Sequence, residues 1–350
     1  FLASLGKNTT SPNPRVGAVI LDKNGSLISE GFHFKAGMPH AEAMAFNNLK
    51  QDAKGGTMYV NLEPCCHQGK TPPCVDKVVS SGLKKVYIST EDPDKRVSGK
   101  SIKLLKEAGI QVHLGLCKKE SLDLNKAFFY RNTTKKAFGV LKWAMSIDGR
   151  IGLKNGKSKW ITNEESRSLV HTIRAEFDAI IIGGNTLRKD NPLLTTRGLK
   201  NPEPLRVVFT KSLDLPSKCN LWDCNEAKTI VIYDSSTANE NYLTRIPKCV
   251  EVEKVTSDDP ELISKILAKK GCNKVLWECG PKLATAAIKS NCIQETITFI
   301  APKFLGGENS MNPFGDFKFN EMDEIINLNE PQVSLIGNDI CVKSFFKIKH

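Results

Sequence analysis

The most informative stretch of the chain reads His40-Ala41-Glu42 and, further on, Pro64-Cys65-Cys66-His67-Gln68-Gly69-Lys70-Thr71-Pro72-Pro73-Cys74. It offers one imidazole, from His40, and two thiolates, from Cys65 and Cys74. One nitrogen ligand and two sulfur ligands suit Zn²⁺, and a fourth position left to water is typical of a catalytic zinc site rather than a structural one. The sequence therefore predicts a catalytic metal site in the first part of the chain.

Glu42 is not needed as a ligand, which leaves its carboxylate available for proton transfer. A metal that makes hydroxide available near neutral pH, with a carboxylate that carries the proton to departing ammonia, is the equipment for hydrolytic deamination of a nucleobase-like ring. The alternative is that Glu42 only interacts with the dipole of a helix that begins near His40. We expect proton transfer, because the ligand set and the carboxylate occur together.

The spacing departs from the usual zinc-deaminase pattern, which is H-x-E followed by P-C-x-x-C. Here eight residues, not two, separate Cys65 from Cys74, and such an insert is compatible with a loop that leaves the first ligand and returns to the second. Cys66 is a competing ligand. Because adjacent side chains diverge, Cys65 and Cys66 are not expected to reach one tetrahedral ion together, and we assign Cys65.

The chain of 350 residues is long enough for two domains. Its apolar runs are far too short to cross a bilayer, and no signal peptide is visible, so no membrane partner is expected. Eleven cysteines, mostly scattered singly, fit reduced thiols in a cytoplasm or plastid-like compartment better than a disulfide framework, and we expect a cytoplasmic protein. The net charge of +12 comes from dispersed lysines, which favours small phosphorylated substrates over nucleic acid.

Strand and helix signals alternate along the first part of the chain, which predicts an α/β layer sandwich. A helix predicted around 120–129 leads into a polar stretch, 131–136, that we interpret as the boundary between domains 1–135 and 136–350. The second part is again α/β. In it, Thr162 followed by Glu165 predicts a capping box at the start of a helix.

The motifs of the first part resemble the deaminase half of the bifunctional riboflavin-biosynthesis deaminase–reductase family. The resemblance rests on Asn13-Pro14, Gly31-Phe32-His33, His40-Ala41-Glu42 and the long Cys-to-Cys insert with Gly69-Lys70-Thr71-Pro72-Pro73. It implies a cytidine-deaminase-like three-layer sandwich. It also implies zinc-dependent deamination of 2,5-diamino-6-(5-phosphoribosylamino)pyrimidin-4(3H)-one, with a substrate pocket lined by Asn13, His33, His67, Lys70 and Thr71. The alternative for each pocket residue is ordinary loop chemistry. Where this chain has Cys66, the family usually has serine.

The second part lacks G-x-G-x-x-G, so a Rossmann dinucleotide fingerprint is absent. It does carry an apolar strand that runs into Gly183-Gly184-Asn185-Thr186, and a second strand that ends in Glu278-Cys279-Gly280-Pro281 ahead of a helix. Glycine followed by proline at a helix start exposes backbone N–H groups and could cradle a phosphate. Taken alone, a plain strand-to-helix turn is the favoured interpretation.

Three segments of the second part, 142–150, 158–162 and 190–197, resemble the reductase half of the same family. The resemblance implies a dihydrofolate-reductase-like domain. Its NADPH contacts would be Trp160, Thr186, Asp190, Gly280, Pro281, Lys282, Leu283, Ala284, Thr285 and Ala286, and its substrate residues Ser158, Arg174, Leu194, Arg197 and Glu278. Arg174 and Arg197 make chemical sense because guanidinium groups clamp a phosphate bidentately. Lys142 and Asp148 are the candidates for polar assistance to hydride transfer, although Asp148 could simply shape its Asp-Gly turn.

We therefore expect a bifunctional enzyme that deaminates the pyrimidine and then reduces 5-amino-6-(5-phosphoribosylamino)uracil to its ribitylamino form with NADPH. Two alternatives remain open on sequence: an enzyme in which one half has lost its activity, and a zinc-stabilised RNA-binding module that uses the basic surface. The sequence allows a homo-oligomer without defining its state.

Overall fold

The computed structural model describes residues 1–67 and 72–346, and the chain divides into two compact units, Phe1–Lys135 and Lys136–His350. Each unit has an α/β architecture with its own sheet. Within the described ranges, no helix is both long enough and apolar enough to span a membrane.

The first unit contains a five-stranded sheet in the order β2-β1-β3-β4-β5. The strand β1 pairs antiparallel with β2 and β3, whereas β3, β4 and β5 run parallel. After a 3₁₀ helix at Leu2–Gly6, its elements are β1 (Gly17–Leu21), β2 (Leu27–Phe32), α1 (Ala41–Asn47), β3 (Thr57–Val60), α2 (Cys74–Ser80), β4 (Lys85–Ile88), α3 (Lys100–Glu107), β5 (Gln111–Leu114), α4 (Lys118–Leu124) and α5 (Lys126–Thr134).

Successive side chains of these short strands point to opposite faces of the sheet. Apolar side chains lie on the face that packs against a core, and tyrosine and histidine rings lie on the other face. Met58 and Val86 are fully buried, while Tyr59, Tyr87 and His113 stack on one another across β3, β4 and β5, with ring centroids 4.7 and 4.6 Å apart. Helix α1 packs on β1 and β2 and also contacts α2. The two helix N-termini that carry the motif residues are thereby neighbours.

The second unit contains a nine-stranded sheet in the order β10-β9-β8-β7-β11-β6-β12-β14-β13. All neighbouring strands run parallel except β14, which pairs antiparallel with β12 and β13. Its elements are β6 (Phe138–Ser146), α6 (Glu164–Ala175), β7 (Ala179–Gly183), α7 (Gly184–Asp190), β8 (Leu205–Thr210), β9 (Thr229–Asp234), β10 (Glu251–Val255), α8 (Pro260–Lys269), β11 (Lys274–Trp277), α9 (Pro281–Lys289), β12 (Glu295–Ala301), β13 (Leu328–Ile336) and β14 (Asp339–Phe346).

Three details differ from the sequence-based expectations. The capping box at Thr162 is wrong, because the N-cap of α6 is Asn163, whose side chain accepts the backbone N–H of Ser166. The single helix predicted around 120–129 is two helices, α4 and α5, which divide at Asn125. Helix α7 and strand β10 were not predicted.

Candidate active sites

The ligand atoms of His40, Cys65 and Cys74 lie within 4.8 Å of one another. His40 is the N-cap of α1, Cys74 is the first residue of α2, and Cys65 lies in the loop that follows β3. His40 Nδ1 is 3.5 Å from the sulfur of Cys65 and 3.4 Å from that of Cys74. Ordinary Zn–N and Zn–S bonds at tetrahedral angles would separate these atoms by about 3.6 Å. The three side chains therefore fit a zinc ion.

The two cysteines of this group differ in acidity. Cys65 Sγ accepts the backbone N–H of Cys74 at 3.3 Å, at the start of α2. Hydrogen bonds from the Cys74 thiol, from His40 and from this N–H lower the pKa of Cys65 to about 4, against the opposing effect of burial. The bond with Cys65, together with burial and the nearby Glu42, raises the pKa of the Cys74 thiol. The pair thus concentrates negative charge on Cys65, where a cation would be held.

Glu42 lies in the first turn of α1, and only 3% of its surface is exposed. Burial raises the pKa of its carboxyl group. It is not part of the cluster of ligand atoms, yet it interacts with Cys74 and His40. A carboxyl group that is buried, displaced towards its protonated form and adjacent to a metal cluster is well suited to move protons.

The side chain of Cys66 points away from this cluster. Its Sγ lies 3.7 Å from the carbonyl oxygen of Arg96 and packs against the apolar core of the first unit. Among the described residues, Cys65 and Cys74 are the cysteines of the metal cluster and Cys66 is not. The divergence of adjacent side chains accounts for this difference.

Sequence reasoning gave no role to Glu63, which anchors the loop that carries Cys65. Its buried carboxylate accepts the backbone N–H groups of Asp92, Gly99 and Ser101 at 3.2, 2.9 and 3.1 Å. These bonds hold the start of α3 against the segment directly before Pro64. The signal in the sequence is a glutamate that follows the strand β3 by three residues and directly precedes Pro64.

Three of the predicted pocket residues are described. His33 is buried, with Nδ1 3.0 Å from the carbonyl oxygen of Pro39 and Nε2 3.1 Å from Asn13 Nδ2, and its ring meets that of His40 edge-on at 5.3 Å. Burial lowers the pKa of His33, so the neutral ring is favoured. His67 Nδ1 is buried and has no hydrogen-bond partner among the described residues. Lys70 and Thr71 lie outside the described residues.

In the second unit, the ends of the parallel strands β7 and β11 lead into neighbouring turns. A Cβ atom on Gly280 would lie 3.8 Å from Thr186 Oγ1, and one on Gly183 would lie 3.7 Å from Leu283 Cδ2. Gly280 is the N-cap of α9 and Pro281 follows it. The structure thus brings the predicted cofactor residue Thr186 and the predicted cofactor turn 280–286 to one edge of the sheet.

Other predicted cofactor residues have varied surroundings. Thr285 donates its hydroxyl to the carbonyl of Pro281 at 2.9 Å and accepts the N–H of Gly315 at 2.8 Å, so this hydroxyl is already engaged. Trp160 is 64% exposed, with the guanidinium of Arg167 4.6 Å from its ring. Asp190 is exposed at the end of α7.

Arg174 and Glu278 form a two-pronged ion pair, with Arg174 Nε and Nη2 at 2.7 and 3.0 Å from the two carboxylate oxygens. Burial opposes the charge of Arg174, but Glu278 outweighs it and raises the pKa of the guanidinium. Burial likewise opposes the charge of Glu278, yet Arg174 and Lys142 lower its pKa to about 2. Burial lowers the pKa of Lys142, which favours transfer of its proton.

His171, which was not predicted, belongs to the same group. Its Nδ1 lies 3.1 Å from the carbonyl oxygen of Thr195, which also accepts Arg174 Nη1 at 3.3 Å. His171 precedes Arg174 by three residues on α6, and residues so spaced share a helix face. That spacing is the signal that could have identified it.

The other residues predicted to bind the substrate or assist catalysis in the second unit differ in exposure and in hydrogen bonding. Leu194 is buried and Ser158 is partly buried. Arg197 is exposed, and its guanidinium has no hydrogen bond or ion pair within residues 1–67 and 72–346. Asp148 accepts the hydroxyl of Ser146 and the backbone N–H groups of Leu305 and Gly306, and these bonds lower its pKa to about 2. Such a carboxylate is ionised at neutral pH and serves the turn better than it serves as a proton source.

Comparison with known proteins gives two family matches. Residues 2–90 match the cytidine and deoxycytidylate deaminase zinc-binding region, and residues 137–342 match the RibD C-terminal domain. The chain is 42% identical to the riboflavin biosynthesis protein RibD of Synechocystis sp. over 97% of this chain and 92% of the relative.

Two solved structures are similar over nearly the whole chain. RibD of Acinetobacter baumannii has a TM-score of 0.88 and 33% identity, covering 99% of this chain and 96% of that one. A diaminohydroxyphosphoribosylaminopyrimidine deaminase/5-amino-6-(5-phosphoribosylamino)uracil reductase of Thermotoga maritima has a TM-score of 0.83 and 32% identity, covering 99% and 95%.

Proposed function

The chain belongs to the RibD family of bifunctional riboflavin-biosynthesis enzymes, and from this premise we propose a role for each residue at its two sites. Each member of this family combines a zinc-dependent deaminase with an NADPH-dependent reductase, and this chain does so too. We assign deamination to residues 1–135 and reduction to residues 136–350. The division into two compact units and the positions of the two family matches support this assignment.

In the deaminase unit, His40, Cys65 and Cys74 would hold zinc, which supplies a nucleophilic water near neutral pH. Glu42 would accept a proton at one carboxylate oxygen and deliver it to the departing amino group, so that ammonia leaves. The raised pKa of Glu42 suits both halves of this shuttle, because a carboxyl group must be able to hold the proton between them.

The pyrimidine pocket lies beside this cluster. His33 fixes the amide of Asn13, since its Nδ1 faces the carbonyl of Pro39 and its Nε2 faces Asn13 Nδ2. His67 has a buried nitrogen available for a ligand. We assign Asn13, His33 and His67 to the pyrimidine and ribose phosphate, with Lys70 and Thr71 assigned from the family resemblance alone.

In the reductase unit, NADPH would supply the hydride and lie along Trp160, Thr186, Asp190 and the turn 280–286. The exposed ring of Trp160 and the adjoining turns at Gly183 and Gly280 support this placement. Ser158, Leu194 and Arg197 would bind the substrate together with the Arg174–Glu278 pair. Burial lowers the pKa of Lys142, although the nearby Glu278 acts in the opposite direction. Lys142 is the proton source that completes reduction of the imine.

One observation carries the deaminase assignment: the three ligand atoms of His40, Cys65 and Cys74 lie together, with a buried carboxylate beside them that is not a ligand. The test is an assay of the purified, zinc-loaded protein with the diaminopyrimidine phosphate and NADPH, following ammonia and the loss of nicotinamide absorbance. We expect ammonia release first and NADPH oxidation after it. Ammonia without NADPH oxidation would contradict the reductase half. No ammonia from the diaminopyrimidine, with NADPH oxidised when the deaminated substrate is supplied instead, would contradict the deaminase half.

We also propose that the partners are small phosphorylated pyrimidines rather than nucleic acids, and that the protein works in the cytoplasm. The dispersed lysines and singly scattered cysteines of the sequence support these two points. A homo-oligomer is compatible with them, and sedimentation velocity of the purified protein would define its state.

A further inference from the structure

The segment Leu194–Gly198, here called the arginine loop, has an unusual backbone. Leu194 and Arg197 both have φ of 55°, and Gly198 has φ of 83°. Side chains other than glycine rarely occupy this left-handed region, where each costs of the order of 1–3 kcal/mol unless its surroundings impose it. Something in the unit must therefore hold Arg197 in this conformation.

The side chain that holds it is Glu203. One carboxylate oxygen accepts the backbone N–H of Thr196 at 2.7 Å, and the other accepts the Thr196 hydroxyl at 2.7 Å and the backbone N–H of Gly198 at 3.3 Å. Thr196 and Gly198 stand on either side of Arg197. A single carboxylate thus holds backbone N–H groups of the residues on either side of the strained residue, with hydrogen bonds strengthened by its charge.

The other side of the loop is held from helix α6. The carbonyl oxygen of Thr195 accepts His171 Nδ1 at 3.1 Å and Arg174 Nη1 at 3.3 Å. The peptide group between Thr195 and Thr196 is therefore held at both ends, its carbonyl by side chains of α6 and its N–H by Glu203. Such restraint would be unnecessary for a solvent-facing connection that had no side chain to aim.

The side chain that the loop presents is Arg197. Arg174 has two of its three nitrogens engaged by Glu278 and the third by Thr195. Arg197 is exposed, and its guanidinium contacts no acceptor among the described residues. Of the two arginines, Arg197 is the one whose fork of N–H groups is available for a phosphate.

We propose that Glu203 is a positioning residue for the reduction, which acts by aiming the guanidinium of Arg197 at the 5-phosphate of the substrate. This inference rests on the proposed role of Arg197 in substrate binding. The hydrogen bonds of Glu203 run to Thr196 and Gly198, and this role needs no contact of Glu203 with the substrate or NADPH. No ion pair joins Glu203 to Arg197 within the described ranges, so Glu203 acts on Arg197 through the backbone of the arginine loop. The charge of Glu203 also helps to raise the pKa of Arg174, after the larger effect of Glu278.

The test measures steady-state reduction of 5-amino-6-(5-phosphoribosylamino)uracil by the full chain carrying Glu203→Ala, Glu203→Gln, Arg197→Ala or Glu203→Ala with Arg197→Ala. Glu203→Ala should raise KM for the pyrimidine by about 10- to 100-fold, as expected for a misplaced binding group, and leave KM for NADPH and ammonia release unchanged. Glu203→Gln keeps one acceptor oxygen and should show a smaller rise. In the Arg197→Ala background, Glu203→Ala should add no further rise.

Each of the following results would overturn the inference. If Arg197→Ala raises KM but Glu203→Ala does not, the positioning role fails while the substrate role of Arg197 stands. If Arg197→Ala leaves KM unchanged, both fail together. Two observations would show a purely structural role for Glu203. Glu203→Ala would then lower the affinity for NADPH as well, and it would raise KM for the pyrimidine equally in the presence and absence of the Arg197 side chain. Should Glu203→Ala not fold, Thr196→Val removes one bond to the same carboxylate and is measured in its place.

Discussion

Glu278 accepts two hydrogen bonds from Arg174, and both side chains are only about one-eighth exposed, at 12% and 13%. The pair lies where β11 ends, facing Lys142 of β6. Breaking a buried pair by removing one partner commonly costs about 3–5 kcal/mol, because the other charge is left without compensation. The pair therefore shapes both the stability of the second unit and the charge of its site.

The stability of the second unit should fall in acid because of Glu278. Its folded-state pKa of about 2 lies below its ordinary value of 4.5. The ionised carboxylate therefore contributes its full stabilisation of the folded state above pH 4.5, and this contribution is lost as the pH falls towards 2. The shift corresponds to about 3 kcal/mol. Urea unfolding followed by tryptophan fluorescence measures it selectively, because all 4 tryptophans lie within 136–350.

Glu278→Gln is the matched control for this effect. It should lower the free energy of unfolding at pH 7 by about 3–5 kcal/mol, since Arg174 loses its counter-charge. It should also flatten the dependence on pH between 4.5 and 2. An unchanged dependence on pH in this variant would contradict the assigned origin.

Glu42→Gln should separate zinc binding from proton transfer. The amide keeps the shape of the side chain but cannot accept a proton, so ammonia release should fall by a factor of about 10²–10⁴. Zinc content and reduction of the deaminated substrate should be unchanged. Glu30→Gln, at an exposed position of β2, is the control and should retain full ammonia release. Normal turnover by Glu42→Gln would exclude the proton shuttle.

Cys65→Ser and Cys66→Ser should differ although the residues are adjacent. Cys65→Ser removes a member of the ligand cluster, and we expect loss of stoichiometric zinc and of ammonia release. Cys66→Ser changes a sulfur that faces the Arg96 carbonyl, so zinc and activity should remain. Metal analysis by mass spectrometry checks both, and zinc loss in Cys66→Ser would contradict the ligand assignment.

Local motifs were readable from sequence because a few closely spaced residues carry them. The order and spacing of His40, Cys65 and Cys74 predicted the cluster that the structure contains. No role was predicted for Glu63 or Glu203, because each acts on backbone N–H groups that no sequence pattern marks. One prediction was wrong because two neighbouring polar side chains can cap the same helix. The amide of Asn163 caps α6 in place of the neighbouring hydroxyl of Thr162.

Gly31 sets the distance between the sheet and the helix that carries Glu42. A Cβ atom at this position would lie 2.4 Å from Ala45 N and 2.6 Å from Ala41 O, both backbone atoms of α1 that cannot turn aside. Gly31→Ala should therefore push α1 away from β2, at a cost of about 1–3 kcal/mol. Because α1 begins next to His40, ammonia release and zinc affinity should both fall, while NADPH oxidation with the deaminated substrate stays unchanged.

Gly25→Ala is the matched control for Gly31→Ala. Gly25 has φ of 88° and nothing within 4 Å of a Cβ atom, so alanine there strains a turn without moving α1. It should lower stability by about 1 kcal/mol or more and leave zinc affinity and ammonia release intact. If both variants weaken zinc binding equally, the loss follows from lower stability in general, and the close approach of β2 to α1 is not what places Glu42.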